Sequence, residues 1–196
     1  MYLINEIFQS LQGEGFNSGT ASVFIRFGGC NLHCTFCDTI HENGIMMSLP
    51  QIIEEVNRFP RTQLIVLTGG EPALQVDDVL VEALKSLTGK RIAIETNGTH
   101  TLPKGIDWIT LSPKTAFEGG MHLPCILNEC NELKVVYLGQ DLSQYNHIKT
   151  PHRFLQPCYS NNPIEREQNM IMTVSAVLSH PEWRLSLQTH RILNIK

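Results

Sequence analysis

The 196 residues carry 15 Lys and Arg against 19 Asp and Glu, a formal charge of -4, with 42% hydrophobic and 7% aromatic residues. A balance this mildly acidic, without a run of five like charges, excludes a strongly basic nucleic-acid surface, and no apolar stretch reaches the roughly 18 residues of a membrane helix. The chain is long enough to bury a core unaided, so its six cysteines are not needed as disulfide staples.

Met1 to Glu6 shows no basic region ahead of a hydrophobic one, which predicts a cytoplasmic protein whose thiols stay reduced. With no repeat, low-complexity stretch or flexible linker, residues 1–196 read as one domain. Val23 to Phe27 and Gln63 to Leu67 are apolar runs closed by glycines and predict strands. Between them Ser48 and Gln51 form a capping box, with Pro50 in the first turn of a helix that stops near Pro60.

Val79, Leu80, Ala83, Leu84 and Leu87 mark one face of a second helix ended by Gly89, and Arg91 to Thr96 returns as a strand. Further strands are expected at Trp108 to Leu111, Leu133 to Leu138 and Arg153 to Gln156, with a short helix at Asp141 to Tyr145. Asn162-Pro163 with Glu165 starts a helix that ends before Pro181, with Met170, Ile171, Val174, Val177 and Leu178 as its expected buried stripe. Leu185 to Gln188 is read as a last strand.

Strands alternating with helices imply an α/β fold with a mainly parallel sheet, either open and doubly wound or curled into a complete or partial barrel. In such folds chemistry collects at the C-terminal strand ends. Gly28-Gly29-Cys30, Thr68-Gly69-Gly70-Glu71-Pro72, Glu95-Thr96-Asn97-Gly98 and Ser112-Pro113-Lys114 all sit there.

Cys30, Cys34 and Cys37 are spaced C-x3-C-x2-C in a loop after a strand, with no fourth cysteine nearby. Three thiolates suit an iron-sulfur cluster with one iron left open; zinc completed by His33 or His41, or three unrelated thiols, are the other readings. Cys125, Cys130 and Cys158 read as buried small residues. Arg26 is the sole Lys or Arg among the first 57 residues and interrupts an apolar strand. Such an arginine should face a polar cavity and bind an anion, and a carboxylate fits its planar fork.

The cysteine spacing and the later Gly69-Gly70-Glu71-Pro72 resemble the cluster and methionine-binding motifs of radical S-adenosylmethionine (SAM) enzymes. Gln12-Gly13-Glu14-Gly15, Arg26, Cys37-Asp38-Thr39, Glu95-Thr96-Asn97-Gly98, Ser112-Pro113-Lys114, Gln156-Pro157 and Gln188-Thr189-His190-Arg191 narrow this to a resemblance to the 7-carboxy-7-deazaguanine synthases. It runs from about residue 5 to the end and matches least over Glu118 to Asn131.

The resemblance implies a partial βα barrel, since 196 residues are too few for eight βα units with ordinary loops. It also implies a lyase that converts 6-carboxy-5,6,7,8-tetrahydropterin to 7-carboxy-7-deazaguanine, with loss of ammonia, in queuosine-precursor synthesis. Cys30, Cys34 and Cys37 would hold a 4Fe-4S cluster, and Gly69, Gly70, Glu71, Ser112, Lys114 and Gln156 would surround SAM, with Asp38 nearby. Thr39 would bind Mg2+. Gln12, Glu14, Arg26, Thr68 and His190 would bind the pterin, with the terminal Lys196 added by extension. A homodimer and a flavodoxin or ferredoxin electron donor are implied as partners. Two rivals remain open: a radical SAM activase acting on a protein, and a zinc-binding module without catalysis.

Overall fold

A computed structural model describes residues 1–37, 43–114 and 123–196. Asp38 and Thr39, and the first part of the poorly matched stretch from Glu118, lie outside the described residues. The chain opens with strands β1 (Tyr2–Leu11), β2 (Ala21–Phe27) and β3 (Ile45–Met47), then helix α1 (Leu49–Asn57) and β4 (Leu64–Gly69). After a 3-10 turn at Pro72–Leu74 come α2 (Asp78–Thr88), β5 (Arg91–Thr96), β6 (Trp108–Leu111) and β7 (Glu132–Tyr137). The remainder is a 3-10 turn at Leu142–Tyr145, β8 (His152–Pro157), α3 (Pro163–Ser179), β9 (Arg184–Leu185) and α4 (Thr189–Leu193).

These strands form one sheet in the order β3-β1-β2-β4-β5-β6-β7-β8-β9. β1 is antiparallel to both its neighbours, and from β2 onward every pairing is parallel. Side chains alternate across the parallel strands. Ile25, Phe27, Ile65, Leu67, Ile92 and Ile94 face outward against Ile52, Val56, Leu80 and Leu84 of α1 and α2. Phe24, Leu64, Val66 and Ala93 face inward, joined by Phe8 and Trp108. Each fully buried aliphatic side chain contributes about 1.5–3 kcal/mol, so the outer layer is the main source of stability.

The sheet curls without closing. Its curl is visible in the loop after β1: the Phe16 amide donates to Glu132 Oε2 on β7 (3.1 Å), and the Gly15 amide to Ser186 Oγ beyond β9 (3.0 Å). A flat nine-stranded sheet would keep β1 and β7 five strands apart. The result is an open, partial barrel whose gap the Gln12–Phe16 loop spans.

One strand was not foreseen, and four expectations need correction. β1 carries no clean alternation because intermediate burial runs along most of its length, and the sequence alone did not mark it as a strand. The last strand contracts to Arg184–Leu185, and Gln188 begins α4 instead. Asp141 to Tyr145 is a 3-10 turn capped by Asp141. On α3 the buried residues are Thr173 and Ala176, whereas Ile171 and Leu178 are 63% and 80% exposed. Likewise α2 buries Leu80, Val81 and Leu84 while Val79 and Leu87 face out. Hydrophobicity marked the amphipathic helices, but contact with β8 and β9 decided which side of α3 is covered.

Candidate active site

The C-terminal ends of β2 and β4 run so close that only glycine fits. The Gly70 amide donates to Phe27 O (3.1 Å) and the Glu71 amide to Gly29 O (3.0 Å). Gly69 has φ +126°, and a Cβ there would stand 2.3 Å from Phe27 O; one at Gly70 would stand 1.9 Å from Gly29 O. The two glycines are required by the passage of one backbone over another. Glu71, 1% exposed, accepts from the Ala73 amide (2.9 Å), Thr96 Oγ1 (2.7 Å) and the Asn97 amide (2.6 Å). Burial pushes its carboxyl above the usual range despite these bonds. A carboxylate has about four acceptor positions, so a SAM contact at Glu71 would add to a carboxylate already tying β4 to β5.

Cys30 and Cys34 are half-buried on the loop leaving β2, and Cys37 is exposed. The Cys37 amide donates to Cys34 O (3.0 Å), closing a turn between them. Burial pushes the Cys30 and Cys34 thiols up, while the Lys114 ammonium pulls Cys34 back down. Among the described residues no three His, Cys, Asp or Glu side chains converge as ligands of a single ion. An iron-sulfur cluster takes thiolate sulfur and spreads its ligands over several irons, and the three thiols fit that group; His41, a candidate zinc ligand, lies outside the described residues.

The opposite wall is a charged network. Lys134 on β7, with its side chain 6% exposed, pairs with Glu14 and lies 3.6 Å from Glu95 on β5. Gln12 donates to Glu95 Oε1 (2.9 Å), Thr68 Oγ1 to Glu95 Oε2 (3.3 Å) and Gln188 to Glu14 Oε1 (2.9 Å). Glycines flank Glu14: Gly15 is required by its φ of +64°, with Glu132 Oε1 1.7 Å from where a Cβ would stand, and a Cβ on Gly13 would displace the His190 ring, whose Nδ1 would lie 2.1 Å away.

Arg26 enters from β2 with its side chain 24% exposed, and its Nε donates to Glu6 Oε1 (3.0 Å). Glu6 Oε2 takes the Lys196 ammonium (2.6 Å), and Ser10 Oγ donates to the Lys196 carbonyl (2.5 Å). The C-terminus is thus pinned beside Arg26, with both cations over the Phe8 ring. Farther round, Lys114 folds back onto the Ser112 carbonyl (3.0 Å) and hydroxyl (2.5 Å), and Gln156 accepts from Ser186 Oγ (3.0 Å).

Every described residue expected in the site lines one cavity of about 960 Å3: Gln12, Glu14, Arg26, the three cysteines, Thr68 to Glu71, Ser112, Lys114, Gln156, His190 and Lys196. That volume lies at the upper end of the usual ligand-pocket range. Cys130 and Cys158 are buried away from it and Cys125 half-buried. Glu6, Glu95, Lys134 and Arg191 also line the cavity, without a role having been read from the sequence. Lys134 was findable, because it interrupts Leu133-x-Val135 as Arg26 interrupts its own strand.

Residues 24–131 match the family model of the radical SAM superfamily. The chain is 50% identical over 196 residues to the 7-carboxy-7-deazaguanine synthase of Bacteroides thetaiotaomicron, covering 100% of each. It is 38% identical to that of Haemophilus influenzae, over 98% of this chain and 93% of the relative. Among solved structures it is similar to QueE from Escherichia coli, with a TM-score of 0.72 and 26% identity over 95% of this chain and 93% of that one. A SAM-bound Streptococcus suis SuiB structure shares the fold alone, at TM-score 0.53 and 14% identity. The chain belongs to the radical SAM superfamily and, within it, to the 7-carboxy-7-deazaguanine synthases.

Proposed function

We propose that this chain contracts the ring of 6-carboxy-5,6,7,8-tetrahydropterin to 7-carboxy-7-deazaguanine, releasing ammonia, with Cys30, Cys34 and Cys37 holding the 4Fe-4S cluster. The carrying observation is the meeting of these thiols, the Gly69-Gly70 turn and the Gln12–Glu14 loop in one cavity. When bound, the cluster and SAM supply one-electron carbon-sulfur cleavage and a radical able to take the hydrogen from C6.

The protein's part is placement. Gly69 and Gly70 let backbone approach the methionine end of SAM, with Ser112, Lys114 and Gln156 as polar contacts and Asp38 near it. Arg26 presents its terminal guanidinium nitrogens, which make no hydrogen bond among the described residues, to the substrate carboxylate; Glu6 fixes the arginine through Nε. Gln12, Glu14, Thr68 and His190 meet the pterin, and the C-terminal Lys196 closes that end. Magnesium, bound by Thr39, completes the cofactors.

The electron comes from flavodoxin or ferredoxin, and the enzyme works as a homodimer in the cytoplasm; family resemblance supports these readings. No described helix is long and apolar enough to cross a membrane. The test is anaerobic reconstitution with iron and sulfide, followed by product mass spectrometry with reductant, SAM, magnesium and the pterin. Formation of 7-carboxy-7-deazaguanine is the expected result. Deoxyadenosine without that product would shift the assignment to an activase, and absence of iron uptake would return the cysteines to zinc.

A further inference from the structure

Three carboxylates, Glu14, Glu95 and Glu132, approach the interior of the partial barrel from the loop after β1, from β5 and from β7. Their shared cation is Lys134. Its ammonium pairs with Glu14, lies 3.6 Å from Glu95 and is two residues from Glu132 on the same strand. Lys114, after β6, also acts electrostatically on Lys134 and on Glu14, while its hydrogen bonds go to Ser112. Arg26 and Lys196 are both paired with Glu6, and His190 and Arg191 of α4 line the same cavity.

Buried carboxylates brought together without a cation do not all stay ionised; one takes a proton and becomes a donor. An ionised carboxylate is an acceptor only. The distinction matters for a 2-amino-4-oxopterin, whose pyrimidine edge offers N–H donors to Glu14 and whatever else meets it there. We propose that Lys134 is a positioning residue that keeps Glu14 and Glu95 ionised and aligned, so that this wall of the cavity accepts the N–H edge of the pterin. The three carboxylates hold the lysine ammonium protonated in spite of its burial. This inference rests on the substrate reading above.

The test is steady-state turnover of the pterin by the reconstituted full chain, as wild type, Lys134→Met and Lys134→Arg, across about pH 6 to 8.5. For Lys134→Met the expected result is a KM raised at least about tenfold near pH 6 and recovering as pH rises, with kcat within about threefold of wild type. Lys134→Arg, which keeps the charge, is expected to return the flatter wild-type profile. A methionine variant with wild-type KM throughout, or a raised KM that does not vary with pH, overturns the proposal. So does loss of deoxyadenosine release with KM unchanged, since that would put Lys134 in the SAM half of the cavity.

Should the methionine variant not fold, Lys134→Gln takes its place in the same assay, with the same expected and overturning results. Wild type that yields no 7-carboxy-7-deazaguanine overturns the substrate reading and this proposal together. Normal wild-type turnover beside an indifferent Lys134→Met removes only the role of Lys134.

Discussion

Arg26 shows how one residue is prepared before any ligand arrives. Its Nε is committed to Glu6, which also holds Lys196, so the guanidinium is oriented with its remaining donors toward the cavity. Replacing it with alanine removes the proposed carboxylate anchor and leaves Cys30, Cys34 and Cys37, the proposed cluster ligands, in place. Arg26→Ala is expected to lower kcat/KM for the pterin by about 2–4 kcal/mol while uncoupled SAM cleavage remains measurable. Normal turnover by that variant would show that the substrate carboxylate binds elsewhere.

At the scale of elements, the helices are set by their ends. The Ser48 amide and hydroxyl both donate to Gln51 Oε1 at the start of α1, at 2.7 and 2.9 Å. α2 begins with Asp77 accepting from the Leu80 amide (2.9 Å) and stops at Gly89 in the left-handed region, φ +67°. Asp77 Oδ1 also accepts from the Tyr2 hydroxyl (2.9 Å), which locks β1 to α2. Asp77→Ala loses both contacts, and urea unfolding is expected to show a loss of about 1–2 kcal/mol with unchanged slope. A change in slope would mean that the denatured state or the two-state character had moved instead. These caps are local; the Ser48–Gln51 box and Gly89 are legible in the sequence, whereas the Asp77 cap and its tyrosine contact appear only in the structure. The covered faces of α2 and α3 were not, because Val79, Leu87, Ile171 and Leu178 are as apolar as the residues that were buried.

For the whole molecule, pH acts through groups whose partners lie far away in sequence. Burial, then the hydrogen bond to Asp77, pushes the Tyr2 hydroxyl up to about 12. A raised folded value means that the neutral phenol is favoured by folding, so its stabilisation is complete below the ordinary tyrosine value of about 10 and is lost between about pH 10 and 12. Asp107 works in the opposite direction. Burial would raise its carboxyl, but the Lys85 ammonium and the Ile92 amide outweigh it and hold it below the usual range. Its contribution is present above about pH 4 and disappears as pH falls through the depressed value. Denaturant midpoints measured against pH should therefore decline at both ends. Asp77→Ala should flatten the alkaline limb, and Asp107→Asn the acid one.

The amino-acid order alone pointed to the radical SAM chemistry and to most of the order of elements. Cysteine spacing, paired glycines and strand-ending polar motifs are local features, and in a parallel α/β sheet the strand ends must gather on one side. Partnership between distant residues came from the folded chain. Glu14 and Lys134 lie 120 residues apart, Glu6 and Lys196 lie 190 apart, and no local pattern announces either pair. β1 and the Gln12–Phe16 loop reach β7 because the sheet curls, and curl is a property of nine strands together. For the same reason the reading of Arg26 from its strand was correct about the cavity but could not name Glu6 as its partner, since an ion pair is set by where the chain returns.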